Sequence, residues 1–283
     1  MKLVTLTSTL ATRFDIFKAL EMIKEAGFDG YDYSFFNREW VACKSDGWKE
    51  HALAIRKKSD ELGLPCLQAH SNCERKMPME ISEEDYLADN IRALEIAAIL
   101  GCPIVVVHPS EPYTAEQNRD ALYAKLMPVA EKLGVKVATE NMFSWQDSRQ
   151  LMTVPSACGT AADFVAHIDA LPHPNFTACL DLGHAQMVNC EGAPKMIRAL
   201  GKRIGALHVH DNDLIYDDHI FPFAGFSNWE EITSALAEVG YSGHFTFEAD
   251  QSMTRYPDEL LPYCLKLLER TGRYLIKRIE NKK

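Results

Sequence analysis

Short apolar runs alternate with longer amphipathic segments along the whole chain. Each run is six or seven residues long and is rich in β-branched and aromatic residues, as in buried strands. Strands that are apolar on both faces are typical of a parallel sheet covered by helices. The runs predict strands at 3–8, 30–36, 64–70, 103–109, 135–141, 176–182, 204–210 and 244–250.

The segments between these runs have the spacing of amphipathic helices. Segment 14–28 places apolar residues three and four positions apart and reaches Gly27, a residue that suits a helix C-terminus. Segment 83–101 shows the same pattern. Segment 228–240 opens with the capping residue Asn228 and an acidic first turn. Further helices are predicted near 48–62, 115–133, 160–170, 193–200 and 257–276.

Eight strand–helix alternations favour an α/β protein built as a (β/α)8 TIM barrel. An open doubly wound sheet is the rival, but it usually has fewer strands, and no GxGxxG follows the first strand here. The 283 residues contain no Gly/Ser-rich or Pro-rich linker. Since single barrels of about 250 residues are common, we expect one barrel domain over 1–283.

Six of the predicted strands end in a histidine or a carboxylate. In a parallel barrel all strands point the same way, so their carboxyl ends meet at one mouth, where enzymes of this architecture hold their chemistry. We therefore expect a metal and acid/base site at this mouth. The residues are His70, His108, Glu140, Asp181, His208 and Glu248.

The last four strands supply a candidate ligand set for a divalent ion: Glu140, Asp181, His208 and Glu248. One histidine with three carboxylates suits Mn²⁺, Mg²⁺, Co²⁺ or Zn²⁺, and the oxygen-rich set favours the harder ions. Each residue alone could instead satisfy backbone groups at a loop. Carboxylates seldom end such apolar runs unless they are paired or bind a metal, so the four together predict a metal site. No organic cofactor is required.

Three further histidines are candidates for substrate binding. His184 follows Asp181 by three residues and could bind substrate, hold a further metal or cap the following helix. His70 and His108 end the third and fourth strands and reach the same pocket. A histidine at a strand end is equally often a hydrogen-bonded structural residue, and both interpretations stay open.

The region of the seventh strand carries more candidates. His210 shares a strand face with His208 by alternation, so it competes for the ligand role and is otherwise a substrate-binding candidate. Asp217 and His219 lie in the long stretch that follows, which could donate ligands to an additional metal or form a lid. Several aromatic residues are candidates for an apolar wall around a sugar or for the core: Phe35, Phe36, Phe143, Trp145 and Trp229.

Composition narrows the classes of partner and compartment. The net charge is −10 and the basic clusters are short, which argues against nucleic-acid binding. The eight cysteines form no CxxC pair and are interpreted as reduced, mostly buried thiols. The first residues lack the apolar core and small-residue cleavage site of a signal peptide, and no uninterrupted apolar stretch of about 18 residues occurs, so a cytoplasmic protein without a membrane span is expected.

Motifs at the strand ends resemble those of the xylose-isomerase-like barrel superfamily. The superfamily includes sugar phosphate isomerases and epimerases, ketose 3-epimerases, hydroxypyruvate isomerase, inosose dehydratase and endonuclease IV. The resemblance is strongest over 103–250, and one departure is PFAG at 222–225 in place of the usual PGxG. The motifs are EN at 140–141, DLGH at 181–184, HVHD at 208–211, DDHIFPFAG at 217–225, NW at 228–229 and FE at 247–248.

The resemblance implies roles for individual residues. The metal ligands of the superfamily fall on Glu140, Asp181, His208 and Glu248. His184 falls on a position that binds substrate in the epimerases and a third zinc ion in endonuclease IV. The endonuclease pattern also includes two earlier histidines, which match His70 and His108. Its late Asp-x-His matches Asp217 and His219.

These features predict a metal-dependent isomerase or epimerase of a sugar or sugar phosphate. A proton next to the carbonyl would be abstracted to form an enediolate, with Glu140 and Glu248 as general base and acid. The alternatives are an endonuclease IV-like zinc phosphodiesterase (an AP endonuclease), a keto-inositol dehydratase and a non-catalytic sugar-binding barrel. A homo-oligomer is an open expectation. Specificity is expected in the loops 34–48, 72–82, 142–160 and 211–227.

Overall fold

All eight predicted strands are present, and they pair in parallel in one sheet. A computed structural model describes residues 1–72, 81–110, 113–146 and 153–282 of the chain. An antiparallel hairpin that pairs 143–145 with 153–155 was not predicted. The sheet strands are β1 (Leu3–Leu6), β2 (Gly30–Ser34), β3 (Cys66–His70), β4 (Ile104–Val106), β5 (Lys136–Glu140), β8 (Phe176–Asp181), β9 (Ile204–His208) and β10 (Phe245–Phe247); the hairpin strands are β6 (Phe143–Trp145) and β7 (Thr153–Pro155).

The sheet closes into a barrel. Its strand order is β10-β1-β2-β3-β4-β5-β8-β9, and the two end strands meet through a parallel bridge between Val209 and Phe247. There Val209 N donates to Thr246 O at 2.9 Å, and Glu248 N donates to Val209 O at 3.1 Å. The predicted (β/α)8 TIM barrel is confirmed.

The predicted helices are confirmed, and short helices add to them. Four of the helices end at a glycine in the left-handed conformation, which glycine adopts without steric cost: Gly27, Gly63, Gly101 and Gly134. Three additional helices, at Ser8–Arg13, Asn37–Lys44 and Leu182–Gln186, have eight residues or fewer. That length is too short for a helical period of apolar residues to be recognised in the sequence. The helices are α1 (Ser8–Arg13), α2 (Ile16–Ala26), α3 (Asn37–Lys44), α4 (Trp48–Leu62), α5 (Glu83–Leu100), α6 (Ala115–Asn118), α7 (Ala124–Leu133), α8 (Ala161–Asp169), α9 (Leu182–Gln186), α10 (Ala193–Leu200), α11 (Trp229–Glu238) and α12 (Leu261–Glu280).

The barrel interior is packed with side chains below the mouth. A small apolar cluster fills part of it, formed by Ile104, Val106, Ala138, Cys179 and Ala206. Beside it lies a polar layer, in which Gln68 Nε2 donates to Asp32 Oδ2 at 2.9 Å and Thr246 Oγ1 donates to Gln68 Oε1 at 3.1 Å. Burial raises the pKa of Asp32 to about 7. The larger apolar core joins helix residues such as Leu20 and Leu94 to strand residues such as Tyr31 and Val105.

Two predictions from composition can be compared with the described residues. Seven cysteines there are free and six of these are buried, as expected for reduced thiols; Cys73 lies outside the described part. Across the same residues, every helix is too short or too polar to cross a lipid bilayer.

Candidate metal centre at the barrel mouth

The four predicted metal ligands come together at the carboxyl ends of adjacent strands. Glu140, Asp181 and His208 are the last residues of β5, β8 and β9, and Glu248 directly follows β10. Asp181 is the register partner of His208 on the neighbouring strand. The parallel direction of the strands places these ends together, and side-chain alternation turns them inward.

We call these four residues the strand-end cluster. Its candidate ligand atoms all lie within 4.8 Å of one another. His208 Nδ1 is 2.9 Å from Glu140 Oε1 and 2.9 Å from Glu248 Oε2. The two glutamates therefore approach one imidazole nitrogen from different strands.

Burial and the charges of neighbouring side chains shift the pKa values of His208 and Glu140. Burial disfavours the charged imidazole of His208, but the neighbouring Cys179, Glu140 and Glu248 outweigh it and raise its pKa well above the ordinary value. Burial also disfavours the Glu140 carboxylate, but His208 and His108 outweigh it and hold its pKa well below the ordinary value. The Glu140 carboxylate is thus ionised at neutral pH.

The strand-end cluster fits a divalent cation. Glu140, Asp181 and Glu248 are buried, and within the described part of the chain their ion-pair partners are histidines rather than lysine or arginine. Three buried carboxylates without a permanent cation are costly. Carboxylate oxygen and imidazole nitrogen are the ligands that Mn²⁺, Co²⁺ and Zn²⁺ accept.

The two earlier histidines adjoin this cluster. His70 Nε2 lies 2.8 Å from His108 Nε2, although β4 ends two residues before His108. His108 Nε2 is 2.9 Å from Glu140 Oε2, and His70 Nδ1 is 3.4 Å from Glu248 Oε1. Ligand atoms of His70, Glu140 and His208 also lie within 4.8 Å of one another. Both histidines therefore lie against the strand-end cluster, while their role in substrate binding stays a prediction.

A second group of metal-ligating side chains lies beside the first. We call it the loop cluster: His184, His210, Asp217 and His219, whose ligand atoms lie within 4.8 Å of one another. Asp217 Oδ2 is 2.9 Å from His219 Nε2 and 3.3 Å from His184 Nε2. The stretch after β9 thus brings Asp217 and His219 to the mouth.

His210 connects the two clusters from a fully buried position. Its Nε2 lies 3.1 Å from both carboxylate oxygens of Asp181, and its ring stacks on His219 at 4.0 Å between centroids. This placement favours a role in orienting Asp181 over direct contact with substrate. It also explains the glycine of DLGH, since a Cβ on Gly183 would lie 2.0 Å from His210 Cε1.

Two residues that hold the site in place were not predicted from the sequence. The side chain of Asn141 donates to Asp181 O at 3.0 Å and accepts from Asp181 N at 2.8 Å, and its backbone oxygen lies 2.9 Å from His184 Nδ1. Its only signal was its place in the EN motif. The second residue is Asp211, whose carboxylate organises the loop after β9.

Four N–H groups converge on the buried carboxylate of Asp211. They belong to the backbones of Asn212, Phe223 and Ser227, at 2.9 to 3.0 Å, and to the indole of Trp229 at 2.9 Å. Charge-assisted hydrogen bonds of this kind are among the strongest in proteins. Asp211 thereby ties the loop that carries Asp217 and His219 to the start of α11.

The PFAG segment preserves the backbone conformation that glycine would favour. Phe223, at the first glycine position of PGxG, has a φ of +74°, which is strained for a side chain with a Cβ. Gly225 retains the second glycine, and a Cβ there would lie 2.2 Å from Asn212 O. The turn at PFAG therefore forms without the first glycine of PGxG, but with backbone strain at Phe223.

The aromatic candidates divide between the site and the core. Phe36 packs edge-on against His70, and Phe143 packs edge-on against His184, each at 5.1 Å between centroids. Phe35 is fully buried against Tyr33, and Trp229 is buried and bonded to Asp211. Phe36 and Phe143 thus contact histidines of the site, and Trp145 packs on Phe143 at 5.6 Å between centroids.

Comparison with known proteins identifies the family of the chain. The family model described as a xylose isomerase-like TIM barrel matches residues 20–266. The chain belongs to this family.

The curated relatives include one named sugar epimerase and uncharacterized proteins. The chain is 25% identical over 147 residues to fructoselysine 3-epimerase of Escherichia coli O157:H7, covering 52% of this chain and 49% of that protein. It is 27% identical over 174 residues to the uncharacterized protein y4fM of Sinorhizobium fredii, covering 58% and 51%. The chain spans about half the length of the curated relatives it matches.

Solved structures share the fold over nearly the whole chain. The 3-keto-D-glucoside 4-epimerase YcjR from E. coli superimposes with a TM-score of 0.72 at 19% identity, covering 97% of this chain and 99% of that one. D-psicose 3-epimerase from Clostridium cellulolyticum H10 gives 0.73 at 16% identity, with the same coverage. At these identities the likeness establishes the fold.

Proposed function

We propose that the chain is a divalent-metal-dependent epimerase or isomerase of a keto sugar. The observation that carries this proposal is the position of Glu140 and Glu248, each 2.9 Å from His208 Nδ1 and each at the end of a different strand. Two carboxylates that reach one point from different strand ends supply the two groups that proton removal and return require. The sugar epimerases among the relatives support the same reaction class.

Each side chain has a distinct role in this proposal. A divalent ion held by Glu140, Asp181, His208 and Glu248 supplies Lewis-acid polarisation of the substrate carbonyl. One of the two glutamates takes the proton from the carbon next to that carbonyl, and the other returns a proton to the resulting enediolate. His184, beside Phe143 and Asp217, binds a substrate hydroxyl.

A second candidate is an endonuclease IV-like phosphodiesterase. Its support is the grouping of His70 and His108 against Glu140, together with the loop cluster, which offers places for additional ions. The net charge of −10 disfavours a duplex substrate. Metal analysis separates the two: we expect about one Mn²⁺ or Co²⁺ per chain, whereas three tightly held zinc ions would favour the nuclease.

The proposal is tested by proton exchange at C3 or C1 of a ketose in D₂O, measured by NMR with Mn²⁺ present. We expect Glu140→Gln to lower the exchange rate by about 10³-fold, since a positioned base contributes about 10²–10⁴-fold. Glu259→Gln, at an exposed carboxylate, serves as the matched control. Equal exchange by the wild type and Glu140→Gln would show that Glu140 is not the base. Loss of water from a keto-inositol would instead identify the dehydratase.

A further inference from the structure

A row of aromatic side chains leads outward from the candidate centre. Phe143 contacts His184 edge-on at 5.1 Å, Trp145 contacts Phe143 at 5.6 Å, and Tyr216 contacts Trp145 at 6.0 Å. We call Phe143, Trp145 and Tyr216 the aromatic rim. It joins two regions in which the sequence places specificity, the segment after β5 and the segment after β9.

The Trp145 side of the rim is held by a hairpin. Trp145 in β6 is the register partner of Thr153 in β7. The Thr153 hydroxyl donates to Val188 O, and Asn189 Nδ2 donates to Thr153 O at 3.1 Å. The hairpin is therefore fastened to the segment that follows α9.

The Tyr216 side is fastened to the same segment. Val188 N donates to Leu214 O at 2.6 Å. Asp213 Oδ1 accepts from Ile215 N at 2.8 Å and from Tyr216 N at 2.7 Å, so the backbone that carries the tyrosine is fixed. Leu214 has a φ of +69°, and such strain in a residue with a Cβ is concentrated at functional sites.

The rim presents aromatic surface to solvent on an ordered backbone. Tyr216 is 44% exposed, and Trp145 is half-buried. Aromatic faces bind the apolar face of a sugar ring, but their negative potential gives a phosphate no attraction. A keto sugar whose reacting carbons lie at the strand-end cluster would place a further substituent against these rings.

We infer that the aromatic rim is a subsite for a second ring, so that the substrate is a keto sugar bearing a glycosyl or similar cyclic substituent. The free monosaccharide and the sugar phosphate are then poorer ligands. This inference rests on the proposed function, because that function places the reacting sugar beside His184. Trp145 and Tyr216 are the specificity-determining residues, and neither takes part in proton transfer.

The test compares ligands by calorimetry on the Mn²⁺-loaded protein. The probes are D-fructose, fructose 6-phosphate and the disaccharide 6-O-α-glucosyl-D-fructose. We expect the disaccharide to bind at least fivefold more tightly than either of the others, because one or two additional ring contacts provide a gain in affinity of about that size. Trp145→Ala and Tyr216→Ala should each shrink this preference several-fold. Tyr263→Ala, at a tyrosine that is 73% exposed on α12, should leave it unchanged.

The outcomes separate this inference from the proposed function. Equal affinities for the three sugars, tighter binding of the phosphate, or a preference that survives in both variants would overturn the subsite. A preference lost in both variants, but without proton exchange on any sugar, would leave the subsite supported and refute the epimerase. Thermal unfolding of each variant verifies that it is folded.

Discussion

The strand-end cluster and the loop cluster offer similar ligands on very different supports. Glu140, Asp181 and His208 lie at the ends of strands whose register is set by neighbouring strands. Asp217 and His219 lie on an irregular stretch, and His219 has a φ of +46°. The first cluster follows from barrel geometry, whereas the second depends on local hydrogen bonds, above all those to Asp211.

This difference suggests that the strand-end cluster and the loop cluster have different functions. Groups that must keep their geometry during proton transfer belong on rigid strands, because small misplacements are costly for catalysis. Groups on a loop vary more readily and can adapt a barrel to a different ligand. We therefore expect changes in the strand-end cluster to abolish chemistry, and changes in the loop cluster to weaken it.

The largest expected effect is a contrast between two aspartates. Asp181→Asn should lower kcat/KM by at least about 10³-fold and abolish metal binding at the strand-end cluster, since it removes a proposed buried ligand. Asp217→Asn should lower kcat/KM by about 10–100-fold and keep the strand-end ion. Steady-state kinetics and elemental analysis of both variants provide the comparison. Equal losses in the two variants would show that the clusters act as one site.

Removal of the loop anchor should destabilise the protein. Asp211→Ala leaves four N–H groups without their acceptor, which we expect to cost about 3 kcal/mol of unfolding free energy. Urea unfolding measures this, and Asp46→Ala at an exposed position is the control. Because the barrel register is untouched, the variant should retain the strand-end ion. An unchanged unfolding midpoint would contradict the anchoring role.

The metal-free protein should lose stability as the pH rises above neutrality. The pKa values of His184, His208 and His219 are raised; burial opposes this, but the adjacent acidic groups outweigh it. Their contribution is complete below the ordinary pKa of about 6.5 and disappears as the pH rises through the raised values. The ionised carboxylates Glu140 and Asp217 have lowered pKa values, so their contribution is lost as the pH falls below about 4.

A bound ion should reverse the alkaline loss, because it replaces protons on the histidines. At a hundredfold excess over its Kd, Mn²⁺ should stabilise the protein by about 3 kcal/mol. The gain in Tm should be larger at pH 8.5 than at pH 6, as measured by calorimetry with EDTA or Mn²⁺. A gain that is independent of pH would mean that histidines are not ligands.

The smallest expected effect concerns the strained turn at PFAG. Phe223→Gly should stabilise the protein by about 1 kcal/mol relative to Phe223→Ala, since both lose the exposed ring and only glycine relieves the positive φ. Thermal unfolding of the pair measures the difference. Indistinguishable midpoints would indicate that the turn relaxes when the ring is removed.

Much of the candidate site was predictable because the carboxyl ends of all parallel strands in a barrel meet at one mouth. Glu140, Asp181 and His208 each follow an apolar run, and parallel strands bring such positions together. His210 shows the limit of that rule. Alternation placed it on the same face as His208, but it did not reveal that its ring would be fully buried against Asp181. Asn141 and Asp211 were missed because they bond to other segments of the chain, 40 residues away for Asn141 and 12 to 18 residues away for three of the four donors to Asp211.

The amino-acid pattern alone determined the barrel, its single ring of strands and the ends at which polar side chains gather, because periodicity and strand direction are local properties. Only the tertiary structure decided which histidines share a carboxylate and how Asp211 shapes the loop after β9. It alone brought Trp145 against Tyr216, which is 71 residues away along the chain. Such contacts depend on the three-dimensional course of irregular segments, which no sequence period encodes.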